Sequence, residues 1–152
     1  MTRPSWDAYF LKLASTAAER STCLHRQIGA VITVDNQLIA TGYNGSPSGH
    51  RNCCDYGSCL RDELKIASGT QTHICYAIHA ELNAILQAAK HGRATKGATM
   101  YVNTQPCDEC AKAIIGAGIK VVYWQGKYPN SNSENLFEQS QVDIVVYEEE
   151  NK

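Results

Sequence analysis

TMYVNTQPCDECAKAIIGAGIKVVYW, residues Thr99 to Trp124, decides how the rest of the chain is read. Thr99 to Thr104 and Lys120 to Trp124 are short extended runs, and Cys107 to about Gly116 between them reads as a helix. Pro106 suits the first turn of that helix, where its missing N–H costs no intrahelical bond. Strand, helix and strand in succession imply a right-handed crossover and a parallel pair. A helix near Glu134 to Ser140 and a strand over Asp143 to Tyr147 continue the alternation.

Toward the N-terminus the pattern changes. Gly29-Ala30-Val31-Ile32-Thr33-Val34 and Gln37-Leu38-Ile39-Ala40-Thr41-Gly42 are β-rich and separated by Asp35-Asn36, which predicts an antiparallel hairpin. Trp6, Tyr9, Phe10, Leu13 and Ala17 recur at helical spacing, so an N-terminal helix is expected to bury these side chains. Leu82, Ile85, Leu86 and Ala89 form one stripe of another helix, ending at a Gly92 cap. After Tyr43 the pattern dissolves for roughly 30 residues apart from a short helix around Arg61 to Ile66, and loops of that length are usually functional or separately anchored. The expected fold is α/β: three layers, α/β/α, around a mixed five-stranded sheet, in one domain over residues 1–152 with a long inserted loop at about 44–75.

A chain of 152 residues with 43% hydrophobic and 19% charged residues suits one globular core and argues against disorder. The net charge of -1 provides no basic field to gather phosphodiesters, so a small-molecule substrate is expected and nucleic acid is not. Met1 to Asp7 has no signal-peptide run, and nowhere do ~18 apolar residues follow one another, so a soluble cytoplasmic protein with no membrane partner is expected. Seven cysteines cannot all pair, and without an export signal they point to metal ligands or core thiols. Glu148-Glu149-Glu150 reads as a solvated charge run.

His79-Ala80-Glu81 opens one expected helix and Pro106-Cys107-Asp108-Glu109-Cys110 another. Cys107 and Cys110, three residues apart, share a helix face. With His79 they make three protein ligands, which suits a catalytic zinc whose fourth position stays open for water. The helix N-terminus favours the thiolate form. His79 and Glu81 would diverge in mid-helix, so His79 is expected at the helix mouth. H-x-E followed by P-C-x-x-C is the signature of zinc nucleobase deaminases, with the Glu moving protons and not ligating. The ion would bring its bound water toward a pKa of ~7, providing hydroxide near neutral pH, and Glu81 would serve as general base and then acid. A purely structural zinc site is the bland alternative.

His79-Ala80-Glu81-Leu82-Asn83-Ala84-Ile85, Pro106-Cys107-Asp108-Glu109-Cys110-Ala111-Lys112 and Thr41-Gly42-Tyr43-Asn44-Gly45-Ser46-Pro47 together resemble the cytidine deaminase superfamily, and within it the deoxycytidylate (dCMP) deaminases. The resemblance runs from Cys23 through Ile144. It implies a cytidine deaminase-like fold and hydrolysis of dCMP to dUMP and ammonia, supplying thymidylate synthesis. It assigns Asn44 to sugar and base, the Ala80 backbone to the pyrimidine edge, and Arg26, Lys127 and Tyr128 to the 5′-phosphate. Without it, Asn44-Gly45 reads as a turn, and an isolated Arg or Lys as a solvated charge. The resemblance also implies a second, structural Zn2+ on Cys23, Cys53, His73 and Cys75. Cys54 and Cys59 are available too, so any four of the six groups fit that reading, and buried free thiols are the other. Many members are hexamers activated by dCTP and inhibited by dTTP, which implies a homo-oligomer with an effector near Gly42, Tyr43, Asn44 and Gly45, and Mg2+ accompanying a triphosphate.

Three rivals share the zinc chemistry: deaminases of tRNA adenosine, free cytidine or a riboflavin precursor. The first expects a basic surface and the last a reductase domain. A non-catalytic zinc module binding a nucleotide or protein is the rival from another class.

Overall fold

The hairpin turn sets the first two strands. Asp35 and Asn36 both hold left-handed backbone, φ 49° and 56°, the pair of positive angles that lets a two-residue turn follow the twist of its strands. Strand β1 (Gly29–Val34) therefore pairs antiparallel with β2 (Gln37–Tyr43). On its other edge β1 pairs antiparallel with β3 (Thr99–Val102). β3, β4 (Val121–Trp124) and β5 (Asp143–Val146) then run parallel, completing the order β2-β1-β3-β4-β5. The structure, a computed structural model, describes residues 2–148, so Glu149 and Glu150 of the acidic tail lie outside the described residues.

Alternation along the strands feeds two cores. Val31 and Tyr101 join Phe10, Leu11 and Ala14 of helix α1 (Trp6–Ala18) on one face, with Tyr123 packed against them. Ala30, Ile32, Met100, Val102, Val122 and Trp124 face the other way. That side is covered by α4 (Ala80–Lys90), α5 (Asp108–Gly116) and α6 (Ser133–Gln139). The three-layer arrangement around a mixed five-stranded sheet is the one expected. No helix among the described residues is long and apolar enough to cross a membrane.

Two expected core faces are buried only in part: Phe10 is buried and Leu13 and Ile85 pack against the cores, but other expected residues are not. Trp6 and Tyr9 are 45% and 43% exposed, and α1 buries Phe10, Leu11, Ala14 and Ala18. Leu82 and Leu86 of α4 are likewise exposed, while Ala80, Glu81, Ala84 and Ala88 are buried. Both helices approach the sheet closely. A Cβ at Gly29 would overlap the backbone of Ala14 and stand 2.5 Å from Ala18 N, and one at Gly42 would overlap Ala80 O and Ala84 N. Only small side chains fit under backbones that close, so alanines occupy the contact positions 14, 18, 80 and 84.

Between β2 and α4 the chain is held by short pieces: α2 (Cys53–Tyr56), α3 (Leu60–Glu63) and a 3₁₀ turn over Thr72–Ile74. The helix expected over Arg61 to Ile66 is thus a single turn beginning one residue earlier. An isolated bridge between Gly45 and Ile78 closes the base of this segment.

Candidate active site

His79 is the N-cap of α4, with extended backbone at φ -66° and ψ 151°. Cys107 is the N-cap of α5, at φ -74° and ψ 170°. An N-cap residue leaves the helix axis before its periodicity begins, which is how His79 turns toward α5 although Glu81 lies only two positions on. His79 Nδ1 stands 3.4 Å from Cys107 Sγ and 3.5 Å from Cys110 Sγ. A tetrahedral zinc with ordinary Zn–N and Zn–S bonds separates such a nitrogen and sulfur by about 3.6 Å. Two thiols and one imidazole at these spacings fit that ion.

Burial and neighbours set the protonation of the centre. Cys107 is lowered to about 4, first by the hydrogen bond donated from the Cys110 thiol and further by the adjacent His79. Cys110 moves up through that same bond, through burial and through Glu81 beside it. Ligation of a metal requires deprotonated thiols, so binding at this centre is coupled to proton release. Glu81, 3% exposed, has its carboxyl raised by burial, an effect opposed by His79. Raising a carboxyl toward neutrality suits it to both accepting and donating a proton.

In front of His79 lies a cavity of about 320 Å³, large enough for a small ligand. Its walls include Arg26, Asn44, Arg61 and Tyr128. Asn44 is buried at 5% exposure; its side chain accepts from Ile28 N at 2.9 Å and donates to Arg26 O at 2.9 Å. Asn103 accepts from Gly29 N at 3.0 Å and donates to Gln27 O at 3.0 Å. The two amides pin residues 26–29 and so place Arg26. Among the described residues Asn44 Nδ2 donates only the bond to Arg26 O, which leaves its second amide hydrogen for a ligand. Arg26 lies over the Tyr128 ring, 5.1 Å from its centroid. Tyr128 is held by its backbone N–H, which donates to the buried Gln105 at 3.2 Å.

The remaining expected residues fall variously. Ala80 is fully buried at the start of α4. Gly42 lies under α4, Tyr43 O accepts from Asn83 Nδ2 at 2.9 Å, and Gly45 exchanges backbone bonds with Ile78. Each of these three has a packing or hydrogen-bonding role in the chain itself. Lys127 is exposed and is not among the cavity's wall residues. Arg61 on α3 is, although nothing in the sequence separates it from an ordinary surface arginine. Cys23, Cys53 and Cys75 line the cavity together with Cys59, and the Cys53 thiol is pushed up by burial and then by Cys75, Cys59 and Cys23. His73 is exposed and away from that wall, and among the described residues Cys23, Cys53, His73 and Cys75 do not form a set with donors within 4.8 Å. His25, Cys59 and Asp62 do form one, with His25 Nε2 bonded to Asp62 Oδ2.

Two helix N-termini that bring a His and two Cys together beside a buried Glu define a zinc-binding deaminase centre, and the chain belongs to that family. Residues 4–125 match the cytidine and deoxycytidylate deaminase zinc-binding region. The chain is 43% identical over 149 residues to ComE operon protein 2 of Bacillus subtilis, covering 97% of this chain and 74% of that protein. It is 40% identical over 146 residues to the deoxycytidylate deaminase of Schizosaccharomyces pombe, covering 95% of this chain but only 45% of that enzyme. The crystal structure of dCMP deaminase from the cyanophage S-TIM5, in complex with dCMP and dUMP, superposes with a TM-score of 0.78 at 28% identity, covering 95% of this chain and 98% of that one.

Proposed function

We propose that the protein hydrolyses dCMP, with water, to dUMP and ammonia. The observation that carries the reading is the convergence of His79, Cys107 and Cys110 beside the buried Glu81, behind a cavity walled by two arginines. The substrate is the one named for the fission-yeast and cyanophage relatives.

His79, Cys107 and Cys110 would hold the zinc, each by one atom. A bound zinc supplies Lewis acidity that brings the pKa of a coordinated water toward about 7. Glu81 takes the proton from the attacking water, delivers it to the ring nitrogen beside the amino-bearing carbon, and then assists departure of ammonia, so one carboxyl serves both steps. Burial keeps bulk water from competing for that proton. The second amide hydrogen of Asn44 faces the sugar and base, and Ala80 carries the backbone contact to the pyrimidine edge. Arg26 and Tyr128 form the 5′-phosphate end, with Lys127 outside it.

A second, structural zinc belongs to this reading, held by ligands drawn from Cys23, Cys53, Cys59, His73 and Cys75. Zinc stoichiometry reads it: about two per chain with the site, about one without. The protein acts as one domain and as a homo-oligomer, a hexamer, burying outward residues such as Leu82 and Leu86 against other copies. dCTP with Mg2+ and dTTP are its activating and inhibiting effectors near Gly42, Tyr43 and Gly45. Its seven free thiols suit a cytoplasmic location. The test of substrate is ammonia release from dCMP, deoxycytidine, dCTP and an adenosine-containing RNA stem-loop. dCMP should be the best substrate, and activity on the stem-loop alone would overturn the assignment.

A further inference from the structure

Arg61 belongs to the inserted segment, yet it lines the same cavity as His79, Arg26 and Tyr128. Its Nη1 donates to Gln71 O at 2.9 Å and its Nη2 to Ala67 O at 2.8 Å. These two bonds staple the turn over residues 67–71 to α3 and hold the guanidinium in one orientation. Five N–H donors are available on an arginine, so three remain for other partners.

Charge balance supplies the second half of the argument. Arg61 and Arg26 are both half-buried, and neither makes an ion pair among the described residues, whose ion pairs are His25–Asp62 and Lys112–Glu109. Asp62, the one carboxylate on the cavity wall among the described residues, is already bonded to His25. Two half-buried arginines therefore line one small cavity with no free carboxylate among the described residues of its wall. Partly buried cations without a counter-charge are unfavourable unless a ligand brings one. Guanidinium forks match the oxygens of a phosphate monoester, which carries close to two charges at neutral pH.

We propose that Arg61 is a second phosphate-binding arginine. It forms with Arg26 a clamp on the 5′-phosphate of the nucleotide, one arm from the segment before β1 and the other from the inserted segment. The inference rests on the reading of this cavity as a nucleoside monophosphate site. It makes the inserted segment the part of the chain that separates nucleotide from nucleoside.

The experiment uses the full zinc-loaded protein with Arg61→Gln and Arg61→Lys. For Arg61→Gln, the ratio of kcat/KM on dCMP to kcat/KM on deoxycytidine should fall by about 10- to 100-fold, the effect of losing charged hydrogen bonds. The fall should lie in KM for dCMP, with zinc content unchanged. Arg61→Lys keeps the charge and should recover part of the ratio, and it keeps the question answerable if the glutamine variant does not fold. Equal losses on both substrates would assign Arg61 a purely structural role and overturn the proposal. Binding of dUMP relative to deoxyuridine, measured by calorimetry, provides a reading independent of turnover. If the wild-type protein fails to deaminate dCMP, the substrate assignment falls. The clamp is then judged by whether Arg61→Gln selectively weakens dUMP.

Discussion

Gly42→Ala should damage the metal centre from a position that touches neither metal ligand nor substrate. The added Cβ would overlap Ala80 O and Ala84 N and stand 2.9 Å from Ala84 Cα, all backbone atoms of α4. Backbone cannot rotate aside, so ordinary contact is restored only by moving the helix outward by roughly 1 Å. Overpacking of this kind costs about 1–3 kcal/mol, against a gain of roughly 0.5–1 kcal/mol from replacing glycine in a strand. The net loss should be about 1–2 kcal/mol. The same displacement carries His79 and Glu81, at the first turn of α4, away from Cys107 and Cys110 on α5. A shift near 1 Å at reacting groups reduces turnover by about 100-fold. Urea denaturation, zinc affinity and ammonia release measured on one preparation read all three effects. Gly116→Ala, where an added Cβ meets nothing within 4 Å, is the control and should be neutral or mildly stabilising. Wild-type stability and zinc affinity in Gly42→Ala would refute the close-packing argument.

Cys110→Ala should lower zinc affinity in a chelator competition by more than the roughly 10- to 100-fold typical of losing an outer partner of a ligand; Cys54→Ala, at an exposed thiol, should not, and equal losses in the two would contradict the assigned ligands. Tyr101→Phe removes the bond to Asp7 Oδ1 at 3.0 Å and should cost about 1 kcal/mol. Burial, and then Asp7, raise the Tyr101 phenol above its ordinary value, so its contribution is whole below pH of about 10 and is lost as pH rises beyond it. Thermal unfolding between neutral and alkaline pH should show a steeper fall for the wild type than for Tyr101→Phe, and parallel curves would contradict this. Tyr123, raised by burial and by Asp7, leaves part of the slope in place.

The crossover from Thr99 to Trp124 was legible because helix, strands and the Pro106-Cys107 turn are all encoded within one short window. So was the meeting of His79 with the two cysteines, since a ligand at each helix mouth needs only local backbone geometry. The buried faces of α1 and α4 were legible only in part, through Phe10, Leu13 and Ile85. Hydrophobic periodicity marks Trp6, Tyr9, Leu82 and Leu86, whereas the sheet approaches through Gly29 and Gly42 and admits only Ala14, Ala18, Ala80 and Ala84. Glycines on a distant strand decide where only alanine fits, and no pattern within either helix records that. The role of Asn103 in pinning residues 27–29 and the place of Arg61 in the cavity depend likewise on contacts between segments far apart in the chain.

The most direct test of the zinc deaminase account measures bound zinc and ammonia release from dCMP on the same samples of wild-type and Glu81→Gln protein. Wild type should bind zinc and release ammonia with equimolar dUMP. Glu81→Gln should keep its zinc and lose turnover by about 100- to 10,000-fold, the weight of a general acid–base group. Near-wild-type turnover in Glu81→Gln, or a carefully prepared wild type that binds no zinc, would contradict it.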